Sequence, residues 1–249
     1  VPGAIEQAQR LKGYNKGLFE WLRKAPWGNP AFSSMFLSLI GFGFLGGISG
    51  VMMGAEQLNM LIHNTIYVPG HFHATVVIGT TLAFMGLTYF LVPVLFKREV
   101  LFPGFAKIQP YLFGLAMYVV ALVMMGAGTL GVSRRHWDMA FAGAPMAYEW
   151  PGAAYLMMGL TGIFSCIAIV GGAGWILQIV LSILFGKKLE EGELRSTPNP
   201  LTLPAPTTGS KVHPPATPGT MVLALIFLTA FILYYFANWK YLSSLWGLS

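Results

Sequence analysis

Five long stretches of this chain carry almost no charge: approximately residues 31–55, 66–96, 109–132, 150–185 and 219–239. A hydrocarbon layer is about 30 Å thick, and about 20 apolar residues on a helix suffice to cross it. Each stretch is long enough. The expected fold is therefore all-α, an integral membrane bundle of about five transmembrane helices. Composition agrees. Only 10% of residues are charged and 55% are hydrophobic, where soluble domains carry about 25% charge. The connections are short, polar or rich in proline, so they leave little room for a soluble domain. The chain divides into an inner-side or interfacial segment (1–30), a four-helix membrane part (31–186), a Pro-rich inner loop (187–218) and an additional C-terminal helix (219–249).

Charge placement sets the orientation. Arg10, Lys12, Lys16, Arg23 and Lys24 precede the first stretch. Lys97, Arg98 and Lys107 lie between the second and third, and Lys187, Lys188, Arg195 and Lys211 between the fourth and fifth. These alternate connections hold twelve of the fifteen Lys and Arg. The positive-inside rule puts them in the cytoplasm, with the N-terminus cytoplasmic and the C-terminus outside. The net charge of +6 follows from this asymmetry and does not point to nucleic acid.

Chemistry concentrates at the outer end of the second stretch, in the run His63-Asn64-Thr65-Ile66-Tyr67-Val68-Pro69-Gly70-His71-Phe72-His73. Ionisable groups in lipid are costly and normally functional. Each residue of an α-helix turns about 100°, so His71 and His73 point roughly 200° apart. They cannot share one metal on one face, but each can hold a different metal on opposite sides of one helix. Structural zinc is a poor match, because it needs about four converging ligands. Cys166 stands alone in an apolar stretch and reads as a packing residue. Haem iron suits this arrangement better, since it takes an axial His within an apolar slot. Arg134 and Arg135 follow the third stretch on the same outer side. Lipid phosphates and haem propionates are both acceptors that a guanidinium fork matches.

These residues carry a family resemblance. The run HNTIYVPGHFHATVV, followed by VSRR at 132–135, resembles the C-terminal part of subunit I of the haem–copper oxygen reductases, the cytochrome c oxidase group. The Asn after the first His, the Val-Pro-Gly before His71 and the tract WLRKAPWGNPAF at 21–32 look most like the B-type branch. The resemblance implies that His71 is the axial ligand of a high-spin haem and His73 one axial ligand of a low-spin haem. It implies that Arg134 and Arg135 hold haem propionates and that His63 lies beside the high-spin haem's propionate, near the exit route of pumped protons. Asn64 takes a place that is Asp in the A-type branch, where that Asp helps bind magnesium. Asn59 stands where a B-type relative carries Asp, and Asn cannot ionise. Glu56 is its nearest substitute, although a Glu at a helix end is usually just solvated.

The implied activity is reduction of oxygen to water in a prokaryotic inner membrane, coupled to proton translocation. Electrons would come from cytochrome c, a similar donor or a quinol. The copper ligands of the family, a His-x-x-x-Tyr stretch and a His-His pair, do not occur here, nor does the second low-spin axial His. His136 and His213 are not placed for those roles. The chain is thus expected to act with an N-terminal half of subunit I and a copper-bearing subunit II. A nitric oxide reductase relative and a non-catalytic di-haem electron-transfer subunit remain as alternatives. The topology is directly testable. A His136→Cys variant should react with an impermeant thiol reagent from outside; labelling from inside only would contradict the proposed orientation.

Overall fold

A computed structural model describes residues 2–135, 149–190 and 216–245. These residues are overwhelmingly helical, and five helices are long and apolar enough to cross a membrane: Pro30–Gly54, Tyr67–Phe96, Pro103–Thr129, Gly152–Phe185 and Pro218–Lys240. They are the first to fifth spans below. Four match the expected stretches within a few residues. The third begins six residues earlier than the apolar run, because Pro103 occupies the first helical position, where a missing N–H costs nothing. Lys107 consequently lies on the third span and not in the preceding connection. His136 and His213 lie outside the described residues.

The first three spans pack on one another, with the second held between the first and third, and the fourth lies against the third and second. Their shared core runs through Tyr67, Ala74, Ile78, Leu82, Phe113, Val120, Ala121 and Met125. Small residues make the close approaches. A side chain at Gly70 would meet the Met125 amide nitrogen at 2.8 Å. Gly128 leaves no room at all against the backbone of Tyr67. Such contacts let van der Waals packing replace the hydrophobic drive that lipid does not supply.

Two of the spans change pitch where they meet. Gly41–Gly46 in the first and His73–Thr81 in the second are π-helical, and the two segments face each other. The second is dense in β-branched residues, which fit poorly into an α-helix. Its threonines bond back to their own helix: Thr75 Oγ1 to His71 O, Thr80 Oγ1 to Thr75 O and Thr81 Oγ1 to Val76 O. The glycine run of the first span supplies the facing surface. Gly41 accepts the Ile78 side chain, Gly79 accepts Phe42, and Ser38 Oγ donates to Gly79 O.

Each end of the bundle is tied by short backbone pairings. At one end Arg98 bridges to Lys188, and Arg98 also donates to Gly186 O at 2.7 Å. At the other, Thr65 bridges to Ser133, Ile66 N donates to Val132 O at 2.8 Å, and Arg134 N donates to Asn64 O at 2.9 Å. The first end carries the expected inner connections, and the second carries the histidine run and the Arg pair. A buried polar knot lies near the first end. Tyr89 donates towards Gln109 and Gln178, and Gln178 donates to Leu101 O at 2.6 Å.

The fifth span stands apart. Its apolar window is 0% buried within the chain. It touches the first span through Phe44 and Phe227, and its start is held by a carboxylate from the N-terminal helix Pro2–Leu11. Glu6 is fully buried and accepts from Gly219 N at 3.0 Å, Thr220 N at 2.6 Å and Thr220 Oγ1 at 2.6 Å, while Arg10 pairs with it at 2.8 Å. It caps the orphan amides of the fifth span from another helix. The described part of residues 4–24 thus includes a helix docked on the start of the fifth span. Cys166, expected to be a packing residue, is exposed, because the fourth span is covered on one side only.

Burial pushes the Glu6 carboxyl up, but the hydrogen bonds from Thr220, Arg10 and Gly219 outweigh it and hold its pKa below the ordinary 4.5. A depressed carboxylate stabilises the fold above its unfolded pKa, and that contribution is lost as pH falls through the folded value. Glu6→Ala leaves Arg10 and the helix amides without a partner and should cost about 3 kcal/mol or more. Thermal melts of the assembled protein test this. The wild type should lose stability below about pH 4.5 more steeply than Glu6→Gln; equal acid slopes would contradict the clamp.

Candidate functional site

The histidine run enters the membrane at the start of the second span. A short helix, Glu56–Ile62, lies just before it, and His63 closes that helix, its amide donating to Asn59 O. The His63 side chain is exposed, as is Glu56. Thr65 turns the chain by bonding Ile62 O at 2.8 Å. His71 and His73 follow about one and two turns into the span.

The two rings engage different partners. His73 Nδ1 lies 2.7 Å from Pro69 O. A carbonyl only accepts, so Nδ1 carries the proton and Nε2 keeps a free lone pair. Pro69 O also accepts from the His73 backbone amide, so one carbonyl holds both the backbone and the ring of this residue. His71 turns to the first span, where its Nδ1 lies 2.8 Å from Ser49 Oγ. Ser49 Oγ also lies 2.6 Å from Leu45 O and 3.1 Å from Gly46 O. A hydroxyl has one proton, and both carbonyls can only accept it. With that proton on Leu45 O, the nearer carbonyl, the oxygen accepts from His71 Nδ1–H and His71 also presents a bare Nε2. Each imidazole is half-buried, with one nitrogen committed and the other open. Ligating histidines are usually held in this way through the second ring nitrogen.

Phe72 between them is 52% exposed and faces away from the core. Gly50 borders His71: a side chain there would reach Cε1 of the ring at 3.1 Å. The Arg pair is brought to the same end by the Arg134–Asn64 backbone bond. Arg134 is half-buried and Arg135 exposed, and neither side chain makes a hydrogen bond or ion pair among the described residues. Arg135 has φ of 63°, a left-handed conformation that a non-glycine residue adopts at a cost. Among the described residues no three His, Cys, Asp or Glu side chains converge. Ser49 was not anticipated as part of this site. A single polar residue inside the small-residue run Gly46–Gly50 was its only mark in the sequence.

The family model for cytochrome c and quinol oxidase polypeptide I matches residues 1–172. The chain belongs to this family. Cytochrome c oxidase subunit 1 of Thermus thermophilus is 35% identical over 186 residues, covering 73% of this chain and 32% of that protein. Subunit 1 of a cytochrome bo(3) ubiquinol oxidase from Buchnera aphidicola is 27% identical over 122 residues, covering 47% of this chain and 18% of that one. A solved haem–copper terminal oxidase dimer has the same fold with a TM-score of 0.63 at 24% identity, over 91% of this chain and 38% of its own. The chain thus spans about a third of the Thermus relative's length. It is an integral membrane protein of an oxidase subunit I family that works with haem and copper.

Proposed function

We propose that this chain is the haem-carrying part of the catalytic subunit of a respiratory terminal oxidase, which reduces oxygen to water and translocates protons. The observation that carries the reading is the pair of open Nε2 atoms on one membrane helix, each oriented by a bond at Nδ1. This donor set suits haem iron, which takes an axial imidazole in apolar surroundings. His71 would hold the high-spin haem and His73 the low-spin haem. Bound there, the haems and a neighbouring copper supply the electron path and the oxygen chemistry.

The remaining work falls to the chain. The second span orients both imidazoles and, sealed by glycine contacts on either side, holds their spacing. Arg134 and Arg135, at the same end and without protein partners among the described residues, would take the propionates. Their guanidinium groups would add positive charge beside the reduced irons. His63 would serve as the proton-accepting group beside a propionate, with exposed Asn64 next to it; Asn59 cannot ionise and Glu56 faces solvent. The copper would take its ligands from residues beyond those described, in an N-terminal half of subunit I, with electrons delivered through a copper-bearing subunit II from cytochrome c or from a quinol. The basic end of the bundle would face the cytoplasm of a prokaryotic cell, with the histidine end outside.

Carbon monoxide difference spectra of the assembled enzyme test the ligand assignment. His73→Ala should remove the six-coordinate low-spin signal, while His71→Ala should abolish CO binding and leave more of the low-spin signal. Two haems without CO binding in the wild type would favour a di-haem electron carrier, and unchanged spectra in both variants would refute the assignment. His63→Ala should lower the proton-to-electron ratio more than it lowers oxygen consumption. Normal pumping in that variant, together with loss of pumping on substituting Glu56, would move the proton site to the carboxylate.

A further inference from the structure

The pitch change in the first span has a chemical consequence at His71. Ser49 lies three residues past the end of the π segment Gly41–Gly46 and is almost wholly buried. Its hydroxyl proton is committed to the carbonyls of Leu45 and Gly46. Gly46 lies so close to the second span that a side chain there would meet Thr75 Cγ2 at 2.7 Å. Thr75 Oγ1 in turn lies 3.2 Å from His71 O, and His71 Nδ1 returns to Ser49 at 2.8 Å. The four residues form a closed circuit between the two helices. The imidazole cannot turn without breaking its bond to Ser49, and the Gly46–Thr75 contact fixes the spacing of the two helices that carry that bond.

We propose that Ser49 is the positioning residue of His71: a side-chain hydroxyl, carried by the first span, that fixes its tautomer and raises the donor strength of its Nε2. An acceptor on the far ring nitrogen makes an imidazole more basic at the ligating one. A hydroxyl accepts less strongly than a carboxylate, so the enhancement is moderate. It nevertheless depends on the Leu45 and Gly46 carbonyls, which turn the hydroxyl's proton away from the ring. The oxygen is then available only as an acceptor. His73 differs, because its partner, Pro69 O, belongs to its own helix. The two irons are thus tuned by unlike devices: one responds to how the first and second spans pack, and the other does not.

The proposal rests on His71 being the high-spin haem's ligand, and the experiment separates the two. Resonance Raman spectra of the reduced, assembled enzyme report the iron–histidine stretch, a band that reflects donor strength and does not require turnover. Loss of that band in His71→Ala supports the ligand assignment; its persistence refutes that assignment whatever Ser49 does. With the band assigned, Ser49→Ala should shift it to lower frequency, Ser49→Thr should restore it towards the wild-type position, and the low-spin haem spectrum should stay unchanged in both. If Ser49→Ala assembles without the high-spin haem, Ser49→Thr decides: a wild-type band supports the proposal, and a missing one overturns it. An unshifted band in Ser49→Ala, or an equal shift in Ser49→Thr, would also overturn it.

Discussion

A neutral imidazole has one nitrogen that donates and one that accepts, and inside a membrane helix neither finds water. The structure meets half of that need for His71 and His73 and leaves the other half open. Pro69 O and Ser49 Oγ accept from the two Nδ1–H groups. What remains on each ring is an unshared pair on Nε2, a group whose burial without a partner costs free energy. An iron held there, as proposed, would relieve that cost. The rest of the chain follows from this requirement: a helix able to hold two such rings, neighbours close enough to orient them, and cationic groups at the same end.

The helix that bears the rings is itself unusual. It begins as α-helix at Tyr67 and becomes π-helical at His73, and π segments inside α-helices often mark functional sites. The facing π segment of the first span lets Gly41, Gly46 and Gly50 approach Ile78, Thr75 and His71. On the other flank, Gly70 and Gly128 admit the third span. A rigid scaffold of this kind suits ligands whose spacing must not drift. The fifth span contributes little to it. Its main anchor is the Glu6 clamp at its start, and its apolar surface is left for lipid or a further part of the complex.

The sequence made most of the fold legible, because uncharged length is a direct physical requirement for crossing lipid. It was less informative where backbone geometry decides. The early start of the third span depended on Pro103 and overrode the charge of Lys107. Pitch changes leave no period of their own in a stretch that is apolar all round, so both π segments went unread. Cys166 was misread because hydrophobicity cannot tell a packed face from a lipid-facing one. At the site, His71 and His73 stood out by the rarity of paired histidines in a span, whereas Ser49 could be found only once the first and second spans were seen together. Glu6 was hidden for a similar reason: its partners, Gly219 and Thr220, lie more than 200 residues away.

The central claim is that one helix carries two separate irons through two different histidines. A density map of the intact oxidase with its haems bound tests this most directly. Two iron peaks should lie on different sides of the second span, one bonded to His71 Nε2 and the other to His73 Nε2, with both Nδ1 atoms still on Ser49 and Pro69. A single iron shared by the two rings, or irons ligated by neither, would contradict the account.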